Sequence, residues 1–237
     1  MKKFIPLIAV ISIVLSSCGA YNGAIVSMPT IRQQGEWHLE GAVSPWPFVE
    51  VAPPFGHVSA AVGLTDHVAV AANADAARLY AQIMGGAYFP VNEKFVWEVY
   101  GGAGLGHGIN DSEGWVSKKE DYVDYKVGFV QADCGWRNLT GFLHIDVSLG
   151  LKTGLLFYDR EMLDDASDEY RYLYSSGKNM VFSPMVEVRF GWEHVKFNLK
   201  AAKSLMFGIA GSEVLEMAPV DVGVGVDVFL PMRKKRK

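Results

Sequence analysis

The stretch FLHIDVSLGLKTGLLF, residues 142–157, constrains the fold more than any other part of the chain. Every second residue is apolar (Leu143, Ile145, Val147, Leu149, Leu151, Leu155 and Phe157), and only Thr153 breaks the series. Between them stand His144, Asp146, Ser148, Gly150, Lys152 and Gly154. Successive side chains of a strand point to opposite faces, so this is a strand with one oily face and one polar, small-residue face. In a soluble sheet the oily face turns to a core; in a membrane barrel it turns out to lipid.

Alternation of this kind runs from Glu36 to Leu230, and no long segment has a helical period. It divides into about ten strands, near 36–44, 57–65, 67–76, 78–90, 94–107, 121–137, 142–157, 179–193, 195–207 and 220–230. In the sixth, Val123, Tyr125, Val127 and Phe129 hold one phase and Val130, Ala132, Cys134 and Trp136 the other, which predicts a bulge near Phe129. Thr65-Asp66, 90–94, 138–141 and Glu193-His194 are short connections, whereas 45–56, 108–120, 159–178 and 208–218 are long; Ala76-Ala77 is the one short link where a long one is due.

The polar phase of these strands carries Glu40, Glu98, Lys126, Asp146, Lys152, Glu187, Arg189, Lys196, Lys200, Asp221 and Asp227 among many Gly and Ala. Acids and bases are mixed, as pairing inside a narrow lumen requires. Trp37, Phe95, Trp97, Tyr125, Phe190, Trp192 and Phe197 fall near strand ends. With alternating short and long connections, these features resemble the small Gram-negative outer-membrane β-barrels over residues 36–230. The resemblance implies an all-β, antiparallel up-and-down barrel with its apolar face toward membrane lipid, and a structural, interaction or narrow porin-like role. DVGVGVDVFL, 221–230, resembles the strand read by outer-membrane assembly machinery, which would then be a partner; the chain departs from that pattern by ending in PMRKKRK. An envelope protein partner fits such a role, although no residue pattern names one.

The N-terminus reads as a processing signal. Lys2 and Lys3 precede an apolar run from Phe4 to Leu15, and LSSC resembles a bacterial lipobox. By that resemblance residues 1–17 are a signal peptide, Cys18 carries lipid including palmitate-type chains, 18–35 form a linker, 36–230 the barrel and 231–237 a basic tail. No acidic residue follows Cys18, and an even number of strands returns both ends to one side, so the expected anchor is periplasmic. After that signal no run approaches the ~20 apolar residues of a membrane helix. Loss of Lys2 and Lys3 leaves 20 basic against 26 acidic residues, a formal charge of −6, which argues against nucleic acid as a partner. Cys134 then has no disulfide partner and reads as a small hydrophobe.

Two other classes of function stay open on the sequence. With the oily face inward, a soluble periplasmic barrel would carry a lipid or another hydrophobic ligand. As a lipid hydrolase or deacylase, the chain would use His144, Asp146 and Ser148, at alternate positions, or His57 and Ser59 of GHVS, which resembles the His-x-Ser of lipid A deacylases. Neighbours on one face of a strand stand ~7 Å apart, so either set needs cross-strand partners. Asp164, Asp165, Asp168 and Glu169 lack the spacing of a calcium loop, and no metal or cofactor is expected.

Overall fold

The computed structural model describes residues 27–43, 56–75, 79–113, 118–140, 143–164, 171–215 and 221–230; side chains of 56, 109–113, 118–121, 163–164, 171 and 221 lie outside the description. The strands are β1 (Trp37–Val43), β2 (Gly56–Gly63), β3 (Val68–Asp75), β4 (Tyr80–Pro90), β5 (Phe95–Glu113), β6 (Lys118–Trp136), β7 (Asp146–Asp164), β8 (Arg171–Gly191), β9 (Val195–Ala202), β10 (Leu205–Gly208) and β11 (Asp221–Leu230). From β1 to β9 each strand pairs antiparallel with the next along the chain, β10 pairs with β8, and β11 pairs with both β9 and β1, so the sheet closes on itself. Because β9 and β10 meet β8 in one continuous register, the barrel has ten staves. The break between β9 and β10 falls opposite Pro184: Lys203 donates its N–H to the Pro184 carbonyl at 3.0 Å, and proline has no N–H to return.

The apolar phase points outward. Val58, Ile83 and Leu105 are 57, 69 and 63 % exposed, and Leu149, Leu155 and Phe157 of the seventh strand are exposed as well. Asp146 and Lys152 are buried on the opposite face of that strand. Trp37, Phe89, Trp97, Phe190, Trp192 and Phe197 are exposed around the short-turn end, with Phe95 edge-on to Trp97 at 5.5 Å between centroids. This apolar band over a closed wall is the reverse of a water-soluble barrel.

Five expectations are corrected. The β5–β6 and β6–β7 registers run unbroken, so there is no bulge at Phe129. Val123, Tyr125, Val127 and Phe129 are buried inside, and Gln131 and Asp133 continue the same phase. Lys126 is therefore exposed on the outer wall and is not a lumen charge, and Tyr125 belongs to the interior rather than to the aromatic girdle. The sequence suggested otherwise because the bore changes character along its length, from ionic near the short turns to aromatic near the long loops. β7 begins at Asp146, since His144 has a φ of 40° that no strand continues. Finally, much of the expected loops 108–120 and 159–178 is strand: β5 to β8 run 19 to 21 residues, against 7 to 11 for β1 to β4, so one side of the barrel stands far above the other.

Glycine on β5 makes the aromatic layer fit. A Cβ at Gly102 would meet Phe129 Cζ at 2.6 Å, and one at Gly104 would meet the Tyr80 hydroxyl at 2.5 Å. The rings of Tyr80 and Tyr125 stack across this glycine row at 5.9 Å. Packing of these rings against bare backbone is the reason the row is glycine.

Candidate functional site: the filled bore

The bore is occupied by the protein itself. Residues 27–33, just before β1, enter from the short-turn end and run inside the barrel; Ser27, Met28, Thr30 and Ile31 are buried. At the mouth, the Arg32 guanidinium donates to the Asn92 carbonyl at 3.4 Å and the Gln34 amide to the Leu64 carbonyl at 3.0 Å, both in short turns. Deeper, the Glu98 carboxylate accepts the N–H groups of Thr30 at 2.8 Å and Ile31 at 2.7 Å, with the Tyr100 hydroxyl at 3.0 Å. Deeper still, Gln131 donates to the Ser27 carbonyl at 3.1 Å, and the Ser59 and Ser27 hydroxyls lie 3.0 Å apart. Gly135 and Gly150 clear the way: a Cβ would meet Thr30 Cγ2 at 2.6 Å and Met28 Sδ at 2.9 Å, respectively.

Arg189 is the hub that joins this segment to the wall. Fully buried, it donates to Glu187 at 2.7 Å, the Met28 carbonyl at 2.5 Å, Ser148 at 3.2 Å and Thr30 Oγ1 at 3.3 Å, and its Nε lies 3.3 Å from Asp227. Asp227 also takes His38 Nε2 and, at 2.7 Å, the Asn198 amide. Around the hub, Lys196 pairs with Asp146 at 2.6 Å, Lys200 with Glu40, and Arg137 with Glu36 at 2.5 Å while lying 4.3 Å over the Phe229 ring. Charges in so dry a place persist only when each has partners.

Of the expected lumen charges, Glu40, Glu98, Asp146, Lys152, Glu187, Arg189, Lys196, Lys200 and Asp227 are buried on the inner face; Lys126 is outside, and the side chain of Asp221 lies outside the description. Among the described residues no carboxylate pairs with Lys152: it donates to Gln82 at 2.7 Å and sits 4.0 Å from the centre of the Phe129 ring. The reading missed Glu36, His38, Asp133 and Arg137, which share the same inward phase. It also missed the inserted segment, for which strand alternation holds no signal.

The set of His144, Asp146 and Ser148 does not assemble. His144 lies in the turn before β7, its Nδ1 3.2 Å from Asn138, while Asp146 goes to Lys196 and Ser148 to Arg189. His57 and Ser59 gain a cross-strand acid in Glu40, at 3.8 and 3.2 Å. This group faces the bore, however, and a substrate outside the barrel would have to cross the wall to reach it. Donor atoms of His38, Glu40 and Asp227 lie within 4.8 Å of one another, but Lys200 and Arg189 already neutralise the two carboxylates. A divalent cation would have to displace both. Cys134 is buried and unpaired by any disulfide. Cys18, residues 165–170 of the acidic loop and the tail 233–237 lie outside the described residues.

Toward the long loops the bore is lined by a buried aromatic and aliphatic cluster. Leu215 packs into the cluster of Tyr80, Tyr125, Leu156, Tyr158 and Val181, while the Tyr158 hydroxyl donates to the Glu213 carbonyl at 2.9 Å. Replacing Glu98 with alanine is expected to destabilise the fold by about 1–3 kcal/mol for each N–H left without an acceptor. Urea titration in detergent measures the shift, and limited proteolysis reports whether 27–35 loosens first.

Comparison with known proteins adds little. No protein-family model matches the sequence, and no curated protein is similar to it. Among solved structures, a bacterial polysaccharide outer membrane secretin is similar over 86% of this chain and 100% of that one, at 8% identity and a TM-score of 0.26. That likeness is too distant to bear on what the barrel does.

Proposed function

We propose that this chain is an outer-membrane β-barrel, tethered in addition by lipid on Cys18, that acts as a closed scaffold of the cell envelope rather than as a conduit. One observation carries the reading: the wall is apolar outside and ionic inside. Only a hydrocarbon surrounding makes that orientation stable, because apolar surface in water and ions in a dry core are both unfavourable. The hydrophobic-ligand carrier required the oily face inward, and that face is outside.

The filling of the bore, by residues 27–33 near the short turns and by buried aromatic side chains farther up, supports the scaffold over the narrow pore. An interaction role is supported by the side of the barrel that rises beyond the rim, where Tyr172, Leu173 and Tyr174 of β8 are all exposed. DVGVGVDVFL at 221–230 supports insertion through the assembly machinery. Full-length protein is expected to partition into detergent, to shift on gels with heating, and to give no channel steps in planar bilayers. Recovery in the aqueous phase would refute the membrane reading; regular conductance steps would refute the closed one.

Ile83→Arg supplies an independent check. Ile83 is central on the outward face of β4, between Leu79 and Phe89. Arginine near the middle of a bilayer costs a transmembrane barrel about 2–4 kcal/mol. The unfolding midpoint in lipid vesicles is expected to fall accordingly, whereas on a water-facing wall the same change would be neutral.

A further inference from the structure

The inserted segment has a direction, and it leads away from the short turns. Arg32 and Gln34 touch the turns themselves, Thr30 and Ile31 reach Glu98, and Ser27 reaches Gln131. Gln131 stands opposite Tyr100, two residues farther along β5 than Glu98. Read backwards from β1, the chain therefore climbs the bore toward the long-loop end.

Polar groups without partners lie in the part it climbs into. Asn73 and Asn179 are 4 and 0 % exposed, and neither the oxygen nor the nitrogen of either amide has a hydrogen-bond partner. The Gln131 oxygen is likewise unpartnered among the described residues. Asn73 stands across from Ser59, which bonds Ser27. Asn179 lies four residues nearer the long-loop end than Ser183, the residue in line with Lys152 and Gln131. Buried amides are nearly always satisfied. An extended backbone passing them would offer each a donor and an acceptor together.

We propose that the upper bore is a binding channel for an extended polypeptide, that its occupant is residues 18–26 of this same chain, and that Cys18 therefore emerges at the long-loop, outer face of the membrane. The inference rests on the spanning reading above. CGAYNGAIV is rich in Gly and Ala, which suits a passage narrowed by Tyr80, Tyr125 and Phe129. The nine residues from Cys18 to Val26 span up to ~30 Å extended, and six residues of β6 wall from Gln131 to Tyr125 rise ~20 Å or less. Reach is sufficient. A return toward the short turns would have to pass Met28, Ile31, Glu98, Glu187 and Arg189, all fully buried in a section already filled by paired side chains. The expectation of a periplasmic anchor rested on the strand count and on the missing acids after Cys18; neither accounts for a chain that doubles back inside its own barrel.

Surface labelling tests this. Tyr21→Cys, Glu93→Cys in a short turn and Asp168→Cys in the β7–β8 loop would each be made in a Cys134→Ala background of the full chain, and treated in intact Gram-negative cells with a membrane-impermeant maleimide. Variants lacking the heat-dependent gel shift are discarded, with Asn22→Cys as the substitute for Tyr21→Cys. The N-terminal cysteine is expected to label as fully as Asp168→Cys, with no gain on permeabilising the outer membrane. Labelling only after permeabilisation, as for Glu93→Cys, overturns the proposal. Should Asp168→Cys and Glu93→Cys label alike, the spanning reading itself fails.

Discussion

Replacing Arg189 with alanine is expected to lower the stability of the folded barrel by about 3–5 kcal/mol, the cost of breaking a buried ion pair and leaving its partner uncompensated. Two carboxylates, Glu187 and Asp227, lose their common cation, and the Met28 carbonyl and Thr30 hydroxyl lose a donor. Lysine at this position should recover only part of the loss, because one ammonium cannot hold so many acceptors in a plane. The temperature of the gel shift, or a urea midpoint in detergent, reads the effect. A midpoint unchanged in the alanine variant would mean that the ionic layer is hydrated and that its pairing is incidental.

Deleting Ser27 to Gln33 is expected to open the short-turn half of the bore to water without dismantling the wall, since every stave-to-stave ladder lies outside the deleted residues. Ser148 is the reporter: it is buried, and its side chain is held by Arg189. A Ser148→Cys thiol should react with a small water-soluble reagent on the order of a hundredfold faster in the deletion than in the full chain, as for removal of about 2.7 kcal/mol of local protection. Equal rates would show that the segment does not seal the bore. Loss of the heat-dependent shift would show that the segment is part of the barrel's core rather than its contents.

The barrel was legible in the sequence because alternation is a local signal. A single strand such as 142–157 declares its two faces, and Gly, Ala and mixed charges on one of them show which face is confined. The short turns at 64–67 and 192–194 also fall where the pattern stops. Other features depend on contacts that no local pattern carries. The inward phase of β6 changes from Tyr125 and Phe129 to Gln131 and Asp133 because the bore is aromatic at one height and ionic at another; on the sequence alone this looks like a shift of register. That ambiguity put Lys126 inside. The hub at Arg189 gathers residues from β1, β7, β8 and β11 with the N-terminal segment, across separations of up to 161 residues. Nothing in SMPTIRQQ marks it as the filling of a channel. With the structure known, the surplus of inward glycines at Gly135 and Gly150 is a trace of it, but a trace that lumen crowding explains equally well.

The central claim is that hydrocarbon surrounds this wall, and lipid-phase collision measurements reach it most directly. Nitroxide labels at Val58, Ile83 and Leu105 of the protein reconstituted in vesicles, with Thr65 in a short turn as the aqueous reference, should relax with membrane-soluble oxygen and be shielded from a water-soluble nickel chelate. The Thr65 label should show the opposite. Strong relaxation of all three wall labels by the chelate, equal to that of Thr65, would contradict the account.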